Sequence, residues 1–122
     1  MSYKILIIDD EDELIKLEKK RLEKNHYDVI TASDGVEGIA KAREFKPDLI
    51  VLDVMMPNLD GYSFVQELKR DPEIHSIPIL VVSAREQLKD IFAIEGIIKD
   101  HYLVKPFDGE ALIEKVEKIL KR

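Results

Sequence analysis

Leu49-Ile50-Val51-Leu52-Asp53-Val54-Met55-Met56-Pro57-Asn58-Leu59-Asp60-Gly61 is the stretch on which the fold turns. Its first four residues are aliphatic, and a Pro-Asn-Leu-Asp-Gly turn closes it. An apolar run bounded by turn signals predicts a fully buried strand. The run ends on a carboxylate. A charge at the last buried position is costly unless it is paired or bound to a cation. Asp53 therefore calls for partners from elsewhere in the chain.

Working outward, the same pattern recurs. Lys4-Ile5-Leu6-Ile7-Ile8 reads as a strand that meets the acidic cluster Asp9-Asp10-Glu11-Asp12, where a helix should begin, since acidic groups suit helix N-termini. Leu14, Ile15 and Leu22 fall on one face of that helix, and Lys16, Lys19, Lys20, Arg21 and Lys24 make much of the rest basic. Val29-Ile30-Thr31-Ala32 predicts a second strand. Ser33-Asp34-Gly35 predicts a turn and cap, then a helix with Val36, Ile39, Ala40 and the stem of Arg43 at helical spacing. Lys46-Pro47 ends it. Beyond the opening stretch, Gly61, Phe64, Val65 and Leu68 mark a buried helix face, stopped by Asp71-Pro72. Ile79-Leu80-Val81-Val82 predicts a fourth strand ending at Ser83. A helix is expected from Glu86 to about Glu95, apolar over an unusually broad arc through Leu88, Ile91, Phe92, Ile94, Ile97 and Ile98. Tyr102-Leu103-Val104 predicts a short fifth strand before Lys105-Pro106. Leu112, Ile113, Val116, Ile119 and Leu120 line the last helix.

Strict alternation of strands and helices implies an α/β fold: a doubly wound, five-stranded parallel sheet with five helices on its two faces. The 122 residues suit one domain. A net charge of −6 argues against a nucleic-acid or membrane-surface binder, which would want basic patches. With no cysteine there is no disulfide or thiolate chemistry. No signal-peptide layout or spanning stretch is present, so a cytoplasmic location is expected.

Asp9, Asp10, Asp53, Ser83 and Lys105 all fall at or just past the C-terminal ends of predicted strands. In open α/β sheets ligands bind at that edge. Three carboxylates there would repel one another without a cation, and oxygen donors suit a hard ion such as Mg²⁺, with Mn²⁺ as an alternative. No Cys/His cluster points to zinc. An ammonium and a hydroxyl beside a carboxylate make a site for a phosphoryl group, and a carboxylate can itself be the nucleophile. Taken singly, each feature has a plainer reading. The acidic run would be a solvated helix end, Asp53 a turn cap, Lys105 a surface lysine and Ser83 an N-cap. Those readings leave their convergence on one rim unexplained. His26, His75 and His101 lack ligand spacing and read as surface residues.

The sequence resembles the response-regulator receiver domain of bacterial two-component signalling over nearly its whole length. The resemblance rests on Ile7-Ile8-Asp9-Asp10-Glu11, Leu52-Asp53-Val54-Met55-Met56-Pro57 with Asp60-Gly61, Val82-Ser83-Ala84, and Tyr102-Leu103-Val104-Lys105-Pro106-Phe107. It implies a flavodoxin-like strand order 2-1-3-4-5. It implies that Asp53 is the phosphoacceptor. The metal ligands would be Asp10, Asp53, the backbone carbonyl of Met55, and Asp9 through water. Lys105 would bind the phosphoryl group, with Lys105-Pro106 cis, and Ser83 with Tyr102 would form the switch pair. A sensor histidine kinase or phosphotransfer protein would be the donor. A downstream protein, or a second copy, would meet the face built by helix 4, strand 5 and helix 5, with Ile91 and Ile94 on it.

The chain departs from the family pattern in two respects. Ile98-Lys99 stands where a small Gly-Ala pair is common, with Gly96 two residues earlier. Met55 and Arg85 flank the path of attacking water and are bulky, which implies slow self-dephosphorylation. Residues 1–122 read as a single receiver domain with no output domain. The alternatives are a receiver cut from a longer DNA-binding or enzymatic regulator, a Mg²⁺-dependent aspartyl phosphatase, a flavodoxin-like cofactor carrier and an unphosphorylatable scaffold, the last opposed by Asp53 with Lys105. The phosphatase would want a second acid at Met55, and the carrier a phosphate-cradling loop in place of Asp9-Asp12.

Overall fold

The computed structural model describes residues 2–54 and 59–121. Strands β1 (Lys4–Ile8), β2 (Asp28–Ala32), β3 (Leu49–Val54), β4 (Ile79–Ser83) and β5 (Tyr102–Val104) alternate with helices α1 (Asp12–Lys24), α2 (Gly35–Phe45), α3 (Leu59–Arg70), α4 (Leu88–Ile94) and α5 (Gly109–Leu120). The sheet is parallel, in the order β2-β1-β3-β4-β5. This is the flavodoxin-like arrangement. Among the described residues no helix is long and apolar enough to cross a membrane.

Alternating strand residues feed two cores. Leu6, Ile8, Ile50, Leu52, Ile79 and Val81 pack against α2, α3 and α4 through Ile39, Phe64, Leu68 and Phe92. Ile5, Ile7, Leu49, Val51, Leu80 and Val82 pack against α1 and α5 through Ile15, Leu22, Leu112 and Val116. Burial on both faces explains why these strands read as continuous apolar runs rather than alternating ones.

The face of α2 differs from the sequence expectation. Val36 is 84% exposed, and Ala40 is also exposed; the buried side is Gly38, Ile39 and Ala42. Gly38 explains the rotation. A Cβ there would lie 2.6 Å from Ile8 Cδ1, so the bare backbone is what lets α2 settle onto β1. Arg43 does more than pack its stem: its Nε stands 2.7 Å from Asp71 Oδ2. The α2 cap is as expected, with Asp34 Oδ1 accepting from the Glu37 N–H at 2.8 Å.

Helix α4 is shorter than expected. It starts only at Leu88, with no side-chain cap, because residues 85–89 form turns instead (Leu88 N to Arg85 O, Lys89 N to Glu86 O). It ends at Gly96, whose φ is +86°. The Gly96 N–H donates to Ala93 O at 3.0 Å and the Ile97 N–H to Phe92 O at 3.2 Å. That is a Schellman termination, and its apolar partners Phe92 and Ile97 are both buried in the core. Helix α1 ends the same way, on His26 at φ +70°, with His26 N to Glu23 O and Tyr27 N to Leu22 O. His26 and His75 are exposed, as expected; His101 is half-buried.

The two terminations differ in one respect that can be measured. Nothing lies within 4 Å of a Cβ added at Gly96, so Gly96→Ala should cost only the left-handed backbone energy, about 1 kcal/mol. His26→Gly should recover a similar amount, since an exposed side chain is lost and the strain is relieved. Urea denaturation midpoints should move in opposite directions for the two variants, with unchanged slopes.

Candidate functional site

The C-terminal edge of the sheet gathers side chains from four strands. β1 delivers Asp9, whose N–H continues the ladder to Ala32 O at 3.1 Å. β3 delivers Asp53, in register with Val82 of β4. β4 ends on Ser83, 1% exposed. The ladder runs on past β5, where the Lys105 N–H donates to Ser83 O at 2.8 Å. That bond fixes the backbone from which Lys105 reaches across. Its Nζ stands 2.9 Å from Asp53 Oδ2, and the Asp53 side chain is 0% exposed. The Lys105–Pro106 peptide is cis, as expected.

Asp9, Asp10 and Asp53 line one cleft of about 350 Å³, shared with Ser33, Val36 and Phe64. Asp10 is exposed and Asp9 is buried. Asp9 Oδ1 accepts from the Glu11 N–H at 2.9 Å, a local turn that leads into α1. Its Oδ2 has no hydrogen-bond partner, and apart from the Lys105 ion pair neither oxygen of Asp53 has one among the described residues. Buried carboxylate oxygens without donors are the arrangement that a cation completes, and every candidate ligand atom here is a hard oxygen. The residues present therefore fit a divalent ion.

Sequence reasoning missed Glu18. It is 5% exposed and sits on the buried side of α1 with Ile15 and Leu22. Oxygens of Asp9, Glu18 and Asp53 lie within 4.8 Å of one another. The signal was present, since Glu18 follows Ile15 by three and precedes Leu22 by four, a core position by helical periodicity. Burial, above all, pushes the Glu18 carboxyl up to about 7, with the charge of Asp53 adding and Lys105 and Arg21 opposing. Burial likewise drives Asp9 up to about 8; the Glu11 N–H pulls the other way, and the charge of Asp53 pushes further up.

The remaining candidates are placed as follows. Ser83 Oγ accepts the Arg85 N–H at 3.0 Å, a local turn; the plain reading of Ser83 as an N-cap fails, since α4 starts only at Leu88. Tyr102 is 4% exposed, stacked obliquely on Phe92 at 6.3 Å, with its hydroxyl donating to the Arg85 carbonyl. The Arg85 side chain is exposed. Ile91 and Ile94 are 45% and 76% exposed, with Ile98 at 51%. Met55 lies outside the described residues.

Comparison with known proteins bears on the family and the fold. A family model for the response regulator receiver domain matches residues 5–117. The chain is 42% identical to the alkaline phosphatase synthesis transcriptional regulatory protein PhoP of Bacillus subtilis, over 100% of this chain and 50% of that protein. It is also 42% identical to the DNA-binding dual master transcriptional regulator RpaA of Synechocystis, over 98% of this chain and 49% of that one. The chain thus spans about half the length of these relatives. In structure it resembles the chemotaxis response regulator CheY4 of Vibrio cholerae, with a TM-score of 0.85, 29% identity, and 98% and 100% of the two chains covered.

The raised carboxyls carry a pH signature. Unfolded, Asp9 and Glu18 would titrate near 3.8 and 4.5; folded, they titrate near 8 and 7. Between those limits the folded state binds more protons, so stability falls as pH rises. In chelator, the melting temperature should decline from about pH 5 to about pH 8, and less steeply in Asp9→Asn. A flat or rising profile would contradict the assignment.

Proposed function

The chain belongs to the response regulator receiver domain family, and on that footing we propose that it works as a phosphorylation-dependent signalling switch with Asp53 as phosphoacceptor. One observation carries the reading: a fully buried carboxylate at a strand end, with a lysine ammonium 2.9 Å away and no other donor among the described residues. An Asp53 oxygen attacks the phosphorus of a phosphohistidine on a sensor kinase or phosphotransfer protein. The new O–P bond forms as the P–N bond breaks, and the electron pair leaves with the imidazole. Lys105 then moves its ammonium from the carboxylate to the phosphoryl oxygens. The Ser83 hydroxyl donates to the same group.

Asp10, Asp53, the Met55 carbonyl and, through water, Asp9 would hold Mg²⁺ or Mn²⁺. When bound, that ion neutralises the carboxylates and the transferring oxygens. Nothing else is catalysed beyond the protein's own phosphorylation and slow dephosphorylation, with Met55 and Arg85 too bulky to position water. Signalling runs through protein contacts of the face formed by α4, β5 and α5, either with a downstream partner or as a homodimer. The setting is cytoplasmic, and neither nucleic acid nor membrane is touched directly. A second reading, favoured by the double length of the transcriptional relatives, makes these residues the receiver part of a longer DNA-binding regulator.

Incubation with acetyl phosphate and Mg²⁺ should add one phosphoryl mass to the protein and none to Asp53→Asn. Folded protein that gains no such mass would sink the reading. Ile91→Ala with Ile94→Ala should weaken self-association or partner binding of the phosphorylated form in sedimentation, without lowering the melting temperature. Unchanged association would remove that face from the model of output.

A further inference from the structure

Glu18 lies outside the set of ligands that the receiver pattern implies. Its position on α1 faces the core with Ile15 and Leu22, where an aliphatic side chain would pack at no electrostatic cost. Instead a carboxylate is buried to 5% exposure, and its Oε1 has no hydrogen-bond partner among the described residues. Such a group is destabilising unless a proton or a positive partner neutralises it. Its oxygen is aimed at those of Asp9 and Asp53, and the three lie within 4.8 Å of one another. Oxygens that each sit about 2.0–2.6 Å from a shared ion are at most about 5 Å apart, so this spacing suits one cation held between them. Among the described residues Asp9 Oδ2 and Asp53 Oδ1, like Glu18 Oε1, have no hydrogen-bond partner.

We propose that Asp9, Glu18 and Asp53 form an inner cation position on the α1 side of the site, with Glu18 as an additional metal ligand. This deepens the receiver reading and rests on it only through the shared Asp9 and Asp53. Asp10, exposed at the rim, belongs to the separate outer position, which Asp9 serves only through water. Three carboxylate ligands would take coordination positions that Mg²⁺ ordinarily leaves to water. Mg²⁺ dehydrates reluctantly and usually keeps several waters. Mn²⁺ suits carboxylate ligands equally well and gives up its waters more readily, so the inner position should favour Mn²⁺ over Mg²⁺.

The experiment is a titration of the full chain with Mn²⁺ and, separately, Mg²⁺, read by calorimetry and by the spin-resonance signal of free Mn²⁺. Glu18→Gln keeps the shape and removes the charge; it should lower Mn²⁺ affinity at least about tenfold and Mg²⁺ affinity less. Glu18→Leu should melt higher than wild type in chelator and show a smaller rise on adding Mn²⁺. Affinities of both variants within about twofold of wild type would overturn the inner position. Phosphorylation of the wild type by acetyl phosphate separates the two readings. A phosphorylated wild type with unchanged Glu18-variant affinities removes the inner position alone. A wild type that binds Mn²⁺ through Glu18 yet takes no phosphoryl group removes the receiver reading instead.

Discussion

Asp53 carries its carboxylate where its side chain is wholly out of water, with Lys105 beside it at 2.9 Å. One ammonium does not balance the site. Asp9 and Glu18 bring two further carboxyls within 4.8 Å, and burial holds both well above their ordinary range. Desolvating each charged group costs several kcal/mol, against a total stability of about 5–15 kcal/mol for a domain. The two apolar layers must offset that cost. This is consistent with strands buried on both faces, with Ile5, Leu6, Ile7, Leu49, Ile50 and Val51 all at 0% exposure.

The topology converts distant sequence into this cluster. β1 and β3 are neighbours although α1, β2 and α2 separate them, so the ends of two apolar runs bring Asp9 and Asp53 together. Residue parity then sets direction. Val51 packs toward α1 and α5, and Asp53, two residues on, takes the same face. Glu18 rises from α1 on that side. Lys105 arrives through the ladder bond to the carbonyl of Ser83. The site is therefore built by the strands and α1, while the cleft in front is lined by the start of α2 and by α3.

What the sequence disclosed followed how local each cause was. Strand runs bounded by turns, the Asp34 cap and the Gly61-Phe64-Val65-Leu68 face were legible because their determinants lie within a few residues. Val36 and Ala40 misled because the packing of α2 is decided by Gly38 meeting Ile8 across the fold, a contact that periodicity does not contain. The end of α4 was half visible in Gly96; its late start was not, since it depends on turns around residues 85–89 without a side-chain cap. Glu18 was hidden by its chemistry. A glutamate among Lys16, Lys19 and Lys20 reads as surface until the spacing from Ile15 and Leu22 is given more weight than the charge.

Arg85 joins the site to the face beyond it. The sequence pointed to its side chain, which is exposed, yet its backbone is engaged on both sides. The N–H donates to Ser83 Oγ at 3.0 Å, and the carbonyl accepts from the Tyr102 hydroxyl. Ser83 Oγ accepts in that bond, so its own hydrogen remains available to donate while the turn is kept. The same turn leads within three residues to Leu88 and α4, and the ring of Tyr102 packs on Phe92 of that helix. The inner side of α4 is thus anchored by Phe92 and the Schellman turn at Gly96, while Ile91 and Ile94 face outward. Ser83 at the strand end and the outward-facing Ile91 and Ile94 are thus linked through the Arg85 peptide groups and the Tyr102–Phe92 contact.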